Sequence, residues 1–245
     1  MGRSILYLFA HQDDELLILP KLINELRAGA RVTAVWITDG GKGGNPAKRE
    51  AESRQVMALV GMPSDRLHFL GFPDTQSARH LKAINAQVQP IADRAAPNEV
   101  VSPAYEGGNM DHDVAAFIAA QVRRRVQPQP VQFEYPLYNR YRGHRQIGKL
   151  LPNSPKIIHT LPLDVATRGL MERVAPMYRT QRLGLWLLSI GGQKKKLLDR
   201  GISYREAIDY DFHHRPVDES CEYEHSWTHP GHFEDWVSAV EAFET

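Results

Sequence analysis

The 245-residue sequence contains a single cysteine, Cys221, which excludes a disulfide within the chain and is consistent with a reducing compartment. No apolar run approaches the roughly 20 residues that a membrane-spanning helix needs. The N-terminus leads directly into a strand pattern, without a secretory signal segment. From these absences we expect a cytoplasmic protein that does not interact with membranes.

The sequence also lacks an excess of charge of either sign. It has 30 Lys and Arg against 29 Asp and Glu, which gives a net charge of +1. Such a balance gives no support for nucleic acid or an anionic membrane surface as a partner. We therefore expect a small-molecule partner, and the sequence leaves a homo-oligomer possible.

Strand and helix patterns alternate through residue 135. Buried strands are predicted at 5–10, 32–38, 67–70, 99–102 and 131–135, and helices at 15–28, 46–59, 81–95 and 114–126. Strands separated by helices of this length predict a mostly parallel sheet with helices on both faces. The expected fold class is α/β, a Rossmann-like three-layer sandwich.

The pattern after residue 135 is less regular. A strand is predicted at 157–161 and helices at 165–178, 204–209 and 236–243. Because no linker separates the two parts, we expect residues 1–135 to form the core. Residues 136–245 would then be a C-terminal extension of the same domain that packs on the core and supplies substrate-facing loops.

One motif, His11-Gln12-Asp13-Asp14-Glu15, stands between the first predicted strand and the first helix. Ligands in open α/β sheets bind just beyond the carboxyl ends of the strands. His and Asp are ligands of catalytic zinc, and a spare carboxylate can take a proton from water at the metal. Helix capping would explain one Asp but not the histidine. The motif therefore favours a metal site.

A second cluster occupies the equivalent place after the strand at 99–102. Asp111 and His112 stand there at the start of the next helix. Two loops at neighbouring strand ends would converge, so His11, Asp14 and His112 could form a His-Asp-His triad. Alone, His112 would be interpreted as a helix-start histidine, but beside the first motif we favour a ligand.

These motifs resemble those of a known family. Residues 11–15 (HQDDE) resemble the His-Pro-Asp-Asp-Glu signature of the PIG-L/LmbE-like zinc N-deacetylases, and residues 108–112 resemble their second signature, Gly-His-Pro-Asp-His. Three further segments are similar to family motifs and follow in the same order: 38–40, 49–52 and 70–74. The resemblance implies one Zn²⁺ per chain and a hydrolase that removes an N-acyl group, acetyl first of all, from an amino sugar or its conjugate.

The resemblance also implies a role for each matching residue. His11, Asp14 and His112 would bind zinc, and Asp13 would be the general base for attack of water on the amide. Asp111 would orient a partner side chain from behind the ligands.

Two more residues match the family's substrate pocket. Arg49 matches an arginine that recognises sugar hydroxyls, and Asp74 matches an acid of the same pocket. The alternative for Arg49 is an exposed pair with Glu52, three residues later on one helix. The aromatic and arginine-rich stretch at 135–145 could also line a substrate, although an ordinary surface loop is the simpler interpretation.

The sequence departs from the family at two positions. Gln12 replaces a proline, which should change loop rigidity more than reactivity. Asn109 replaces a histidine that protonates the leaving amine or stabilises the oxyanion, and an asparagine can donate a hydrogen bond but no proton at neutral pH. Candidates for the missing acid, or for substrate contacts, are Tyr105 and the C-terminal His229 and His232.

Two other functions remain open at this point. The same site could serve an amidase that acts on a thiol or natural-product conjugate. The chain could also be a catalytically silent member of the family that binds a small ligand. Asn109 favours the silent alternative, whereas Asp13 argues against it because a binding protein needs no general base.

Overall fold

The computed structural model describes residues 2–181, 199–227 and 230–245. The first part of the chain alternates strands and helices: β1 (Ser4–Phe9), α1 (Leu19–Arg27), β2 (Arg31–Thr38), α2 (Pro46–Leu59), β3 (Leu67–Phe72), α3 (Leu81–Ala95), β4 (Glu99–Pro103), α4 (Met110–Arg125) and β5 (Val131–Tyr135). The later elements are β6 (Tyr138–Tyr141), β7 (His144–Ile147), β8 (Ile158–Leu161), α5 (Val165–Val174), β9 (Ile202–Glu206) and α6 (Phe233–Glu244).

Seven of the strands form one sheet in the order β3-β2-β1-β4-β5-β9-β8. The first five strands in this order, β3, β2, β1, β4 and β5, are parallel to one another. Strand β9 pairs antiparallel with β5, and β8 pairs antiparallel with β9. A separate antiparallel hairpin consists of β6 and β7. The predicted α/β fold with a mostly parallel sheet is confirmed.

Apolar side chains pack in two layers, one on each face of the sheet. One layer joins α3, α4 and α6 through residues such as Ile84, Phe117 and Trp236. The other joins α1 and α2 through residues such as Leu22 and Val56. Because helices cover both faces, β1 is buried along its whole length. This is the three-layer sandwich that the alternating pattern predicts.

The strand order creates a crevice between β1 and β4. From β1 the chain proceeds to β2 and β3 on one side, and β4 and β5 lie on the other side. The helices that follow β1 and β4 therefore diverge, and the carboxyl ends of these two strands form a topological switch point where ligands bind in α/β folds. The loop after β1 contains His11, and His112 follows β4.

One predicted element of the C-terminal part is wrong. Of the expected helix at 204–209, residues 204–206 are the end of strand β9, which pairs antiparallel with β5, and residues 207–209 form neither helix nor strand. Arg205 is fully buried there. It donates to Glu134 Oε1 at 2.6 Å and to the carbonyl oxygen of Leu151 at 2.7 Å. Burial of Arg205 depends on the carboxylate of Glu134 in β5, and the local sequence pattern around Arg205 does not reveal this partner.

The division of the chain at residue 135 stays a prediction, although β8 and β9 belong to the same sheet as the core strands. Within the described ranges, no helix combines the length and the apolar character that crossing a bilayer requires.

Candidate active site

The first motif follows β1 and turns sharply before the first long helix. Asp14–Leu17 form a 3₁₀ turn, and α1 begins at Leu19, four residues later than the predicted start at residue 15. His11 and Asp14 are both buried. The tight turn brings the side chains of these two residues to the carboxyl end of β1.

The second motif begins with a helix cap. Asn109 Oδ1 accepts a hydrogen bond from the backbone N–H of Asp111 at 2.9 Å. Because this cap satisfies a free N–H of the first turn, α4 begins at Met110, one turn before the predicted start at residue 114. His112 therefore lies in the first turn of α4, where it is buried.

His11, Asp14 and His112 meet in the crevice, and we call them the His-Asp-His cluster. His11 Nδ1 lies 3.3 Å from His112 Nε2 and 3.5 Å from Asp14 Oδ2. His112 Nε2 lies 3.2 Å from Asp14 Oδ1. One donor atom from each residue lies within 4.8 Å of the other two. Two imidazole nitrogens and a carboxylate oxygen form a donor set that fits a divalent ion such as Zn²⁺.

The opposite edge of the His11 ring is held by two carboxylates. His11 Nε2 lies 3.1 Å from Asp111 Oδ2 and 3.2 Å from Asp74 Oδ1. Asp111 also accepts hydrogen bonds from the backbone N–H of Thr75 at 2.7 Å and from the hydroxyl of Ser77 at 2.5 Å. This arrangement favours a proton on Nε2, so a metal ion at the cluster would bind Nδ1 and displace the proton there.

Charge within the cluster shifts two pKa values strongly. Burial acts to raise the pKa of Asp14, but the neighbouring His112 and His11 hold it well below its usual range. Burial acts to lower the pKa of His11, but hydrogen bonds to Asp111, Asp14 and Asp74 raise it well above its usual range. Asp14 is therefore ionised, as a carboxylate ligand of a metal must be.

Asp13 stands beside the cluster in a strained conformation. Its φ of 131° lies in a region that residues with a side chain rarely adopt. Its side chain is 26% exposed, and Oδ1 accepts a hydrogen bond from Arg49 Nη2 at 2.9 Å. Burial raises the pKa of Asp13 to about 7, and Arg49 opposes this shift. Such a carboxylate can exchange a proton with water at neutral pH.

Arg49 is buried and does not form the exposed pair with Glu52 that the sequence allowed. In addition to Asp13, its guanidinium donates to the carbonyl oxygens of Gly40 at 3.0 Å and Gln12 at 2.6 Å. Arg49 therefore joins the loop after β1 to the loop after β2. Its contact with a substrate stays a prediction.

Glu15, the last residue of the first motif, is a structural carboxylate. It accepts hydrogen bonds from the hydroxyls of Ser53 and Tyr178, both at 2.6 Å, and from Trp36 Nε1 at 3.1 Å. Its Oε2 also accepts the backbone N–H of Asp13 at 2.8 Å. Through Glu15, these contacts connect the strained residue Asp13 to β2, to α2 and to the segment around Tyr178.

The β6–β7 hairpin packs against the cluster, and the interpretation of this stretch as an ordinary surface loop is wrong for Tyr138. The ring centroid of Tyr138 lies 5.3 Å from that of His112 in an edge-to-face arrangement. The carbonyl oxygen of Tyr138 passes so close to Gly108 that a Cβ there would lie 1.7 Å from it. Arg145 stacks 4.6 Å from the Tyr138 ring centroid. Aromatic density was the only sequence signal for this contact.

The candidate acids from elsewhere in the chain are separate from the cluster. The hydroxyl of Tyr105 donates to the carbonyl oxygen of His214 at 2.8 Å, and its ring packs in the apolar layer near Trp236. His232 is exposed at the start of α6, and His229 lies outside the described residues. Among the described residues, no hydrogen bond or ion pair joins Tyr105 or His232 to the cluster. Their roles stay predictions, and packing argues against one for Tyr105.

A comparison with protein families gives a match that contains both motifs. Residues 6–123 match PIG-L, the GlcNAc-PI de-N-acetylase family. Over these residues the chain is similar to the PIG-L family. The members of this family are metal-dependent N-deacetylases, which are hydrolases. No curated protein matches the sequence at a significant level.

Several solved structures that resemble this chain are deacetylases. A deacetylase from the biosynthesis pathway of teicoplanin has a TM-score of 0.65 at 14% identity and covers 84% of this chain and 98% of its own. The zinc-inhibited form of teicoplanin deacetylase Orf2 has a TM-score of 0.61 at 13% identity, and the match covers 84% of this chain and 98% of that one. N,N′-diacetylchitobiose deacetylase from Pyrococcus horikoshii has a TM-score of 0.58 at 17% identity, and the match covers 84% of each chain. At such identities the similarity shows a shared fold.

Proposed function

We propose that this protein belongs to the PIG-L family and hydrolyses the acetamide of an N-acetylated amino sugar or amino-sugar conjugate. The observation that carries the proposal is the buried His-Asp-His cluster with Asp13 beside it, at the switch point of the sheet. Two proteins of the same fold are a deacetylase of N,N′-diacetylchitobiose and one of teicoplanin biosynthesis, and this supports a sugar-containing substrate.

Zn²⁺ is the proposed metal, with His11 Nδ1, an Asp14 oxygen and His112 Nε2 as its ligands. When bound, the ion would polarise the amide carbonyl and lower the pKa of a water molecule at the site. Asp111 keeps the proton on His11 Nε2, so that Nδ1 remains available as a donor.

Asp13 acts as the general base and accepts a proton from the attacking water. Its pKa of about 7 suits both uptake and release of a proton at neutral pH. The hydrogen bond from Arg49 fixes the position of the carboxylate. Protonated Asp13 then returns the proton to the departing amine, because Asn109 has no proton to transfer at that pH.

Asn109 stabilises the negative charge that develops on the carbonyl oxygen. Its Oδ1 atom is engaged as the cap of α4, so its amide nitrogen is the group that can donate to substrate. A hydrogen bond of this kind typically contributes about 2.7–4 kcal/mol to catalysis of acyl transfer.

The silent, ligand-binding alternative is less well supported. Backbone strain of the kind found at Asp13 costs on the order of 1–3 kcal/mol and persists mainly where function requires the geometry. A binding protein would gain nothing from a strained carboxylate beside the donor set.

We further propose that the reaction takes place in the cytoplasm, which the single cysteine supports.

The direct test is acetate release from a panel of N-acetylated amino sugars, their glycosides, and thiol and natural-product conjugates. Zinc-loaded wild type is compared with Asp13→Asn and with Asp65→Asn, which changes an exposed aspartate. We expect Asp13→Asn to lower kcat by at least about 100-fold on the best substrate, with unchanged zinc content, and Asp65→Asn to match wild type.

The outcome also separates the alternatives. Turnover of thiol or natural-product conjugates alone would identify the amidase. Stoichiometric zinc without turnover of any panel member would contradict the proposal and favour the silent protein.

A further inference from the structure

Tyr138 has a hydroxyl beside the His-Asp-His cluster that the mechanism proposed above does not use. The β6–β7 hairpin carries this residue, and its ring meets the His112 ring edge-to-face with 5.3 Å between the centroids. Its side chain is only partly buried, unlike those of the cluster. The hairpin therefore brings a polar group from outside the two motifs to the edge of the ligand set.

The Tyr138 hydroxyl is paired with Asn109, the residue that stands in place of the family's histidine. Burial raises the pKa of Tyr138 to about 12, and a hydrogen bond with the Asn109 side chain opposes this shift. A hydrogen bond lowers the pKa of a phenol when it is donated to the phenol oxygen, because it then favours the charged form. Asn109 Oδ1 is engaged by the backbone N–H of Asp111, so Asn109 Nδ2 is the donor.

This direction of the hydrogen bond leaves the proton of the Tyr138 hydroxyl available. A phenol has an ordinary pKa of about 10, so the hydroxyl carries its proton at neutral pH whether or not the pKa is shifted. Among the residues that the structure describes, no group accepts a hydrogen bond from it. Asn109 Nδ2 also has a second N–H. Asn109 and Tyr138 can therefore both donate to one atom of a substrate.

The hairpin is fixed on both sides of Tyr138 by one buried carboxylate. Glu106 accepts hydrogen bonds from the backbone N–H of Leu137 at 2.7 Å and from Asn139 Nδ2 at 2.8 Å. Glu106 belongs to the same loop after β4 as Asn109, so a single loop positions both donors. Donors that are held in place before the reaction stabilise developing charge most effectively, because they need no reorganisation.

We propose that the Tyr138 hydroxyl donates a hydrogen bond to the carbonyl oxygen of the acetamide and, together with Asn109, stabilises the negative charge that develops there. The phenol keeps its proton throughout, so Tyr138 acts as a hydrogen-bond donor and not as an acid. This inference rests on the proposed deacetylase function and adds a catalytic residue to it. The Asn109–Tyr138 pair thereby compensates for the histidine that Asn109 replaces.

The test variant is Tyr138→Phe, which removes the hydroxyl and keeps the ring against His112. Tyr141→Phe is the matched control, because it makes the same change on the same strand. Side chains alternate along a strand, so Tyr141 lies on the opposite face of the hairpin, where its ring stacks 5.3 Å from the guanidinium of Arg142. Thermal unfolding and zinc content are measured for each variant. Tyr138→Leu also lacks the hydroxyl and replaces Tyr138→Phe if that variant does not fold.

Kinetic constants are measured on the panel member with the highest turnover and on its N-thioacetyl counterpart. Removal of one donor of this kind typically lowers kcat by about 100–1000-fold, and we expect such a loss in Tyr138→Phe with KM within about twofold of wild type. Sulfur accepts hydrogen bonds more weakly than oxygen, so the loss should shrink to less than about tenfold on the thioacetyl substrate. A purely structural role would lower kcat equally on both substrates.

Binding of acetohydroxamate gives a readout that needs no turnover. This probe has the acyl group of an acetamide, and its oxygen atoms bind zinc. Dissociation constants are measured by calorimetry on zinc-loaded protein. We expect Tyr138→Phe to bind the probe at least about tenfold more weakly than wild type, and Tyr141→Phe to match wild type.

The outcomes separate this inference from the proposed function. An equal loss of kcat on both substrates, a change confined to KM, or unchanged acetohydroxamate affinity in Tyr138→Phe would overturn the inference. Acetate release at the same rate by wild type and Tyr138→Phe refutes the role of the hydroxyl and leaves the deacetylase intact. Weaker acetohydroxamate binding in Tyr138→Phe alone, without turnover of any panel member by wild type, supports the donor and refutes the deacetylase.

Discussion

Asp111 contacts the side of His11 that faces away from the His-Asp-His cluster, and Asp111→Asn tests whether this contact controls metal binding. The carboxylate accepts hydrogen bonds from the backbone N–H and hydroxyl of Ser77 and from the backbone N–H of Thr75, and it lies 3.1 Å from His11 Nε2. An asparagine replaces one oxygen with an NH₂ group. In either orientation, that group must face a neighbour that is itself a donor.

The size of the effect follows from this mismatch. Loss of the group that orients a metal-bound histidine typically weakens metal affinity by about 10–100-fold. This range corresponds to about 1.4–2.8 kcal/mol of binding free energy. The buried donors that lose their acceptor should also lower the free energy of unfolding of the metal-free protein by about 1–3 kcal/mol.

The assay is competition for zinc against a chromophoric chelator, together with urea unfolding of the metal-free protein. Asp113→Asn is the matched control because this neighbouring carboxylate accepts the backbone N–H groups of Glu106 and Gly107, at 3.2 and 3.1 Å, rather than a group of the cluster. Zinc affinity should fall in Asp111→Asn and stay near the wild-type value in Asp113→Asn. Wild-type zinc affinity in Asp111→Asn would refute the reasoning.

Three further changes have defined outcomes. Gly108→Ala would place a Cβ 1.7 Å from the carbonyl oxygen of Tyr138, so the hairpin must move, and we expect a loss of about 1–3 kcal/mol of stability in thermal unfolding with a raised KM; unchanged values would contradict the packing. Burial raises the pKa of Glu106 from 4.5 to about 7, so the folded state keeps this proton longer than the unfolded chain. Its contribution to the free energy of unfolding should fall by about 3 kcal/mol as pH rises through that interval, and urea unfolding at several pH values should show a smaller fall for Glu106→Gln. Arg205→Ala leaves the buried carboxylate of Glu134 without its cation and should cost about 3–5 kcal/mol in urea unfolding, whereas a cost below about 1 kcal/mol would contradict the ion pair.

The core of the fold and the pairing of the two motifs were predictable because both depend on local pattern. Uniformly apolar segments such as β1 predict buried strands, and helices of intermediate length between them predict parallel pairing. Parallel strands place all their carboxyl ends at one edge of the sheet. His11 and His112 could therefore be assigned to the same site from their positions after two strands.

Other features could not be predicted from local pattern, because they depend on contacts between residues that are far apart in the sequence. Tyr138 contacts His112 through a hairpin whose own sequence resembles a polar surface loop. The segment around Arg205 forms a strand because it pairs with β5 and with Glu134, and neither partner is near it in the chain. Local propensity is a weak guide wherever a partner of this kind overrides it.

The sequence by itself thus determined the alternating strands and helices, the candidate metal-ligand residue types and their placement at strand ends. Tertiary structure alone decided that Arg49 is buried against Asp13 and that Asp111 holds the far edge of His11. It also decided that Arg79 and Lys82 line a cavity between α3 and α6. The physical reason is that residue spacing sets periodicity within one element. Burial, pKa shifts and cavities depend instead on side chains that meet only when several elements pack together.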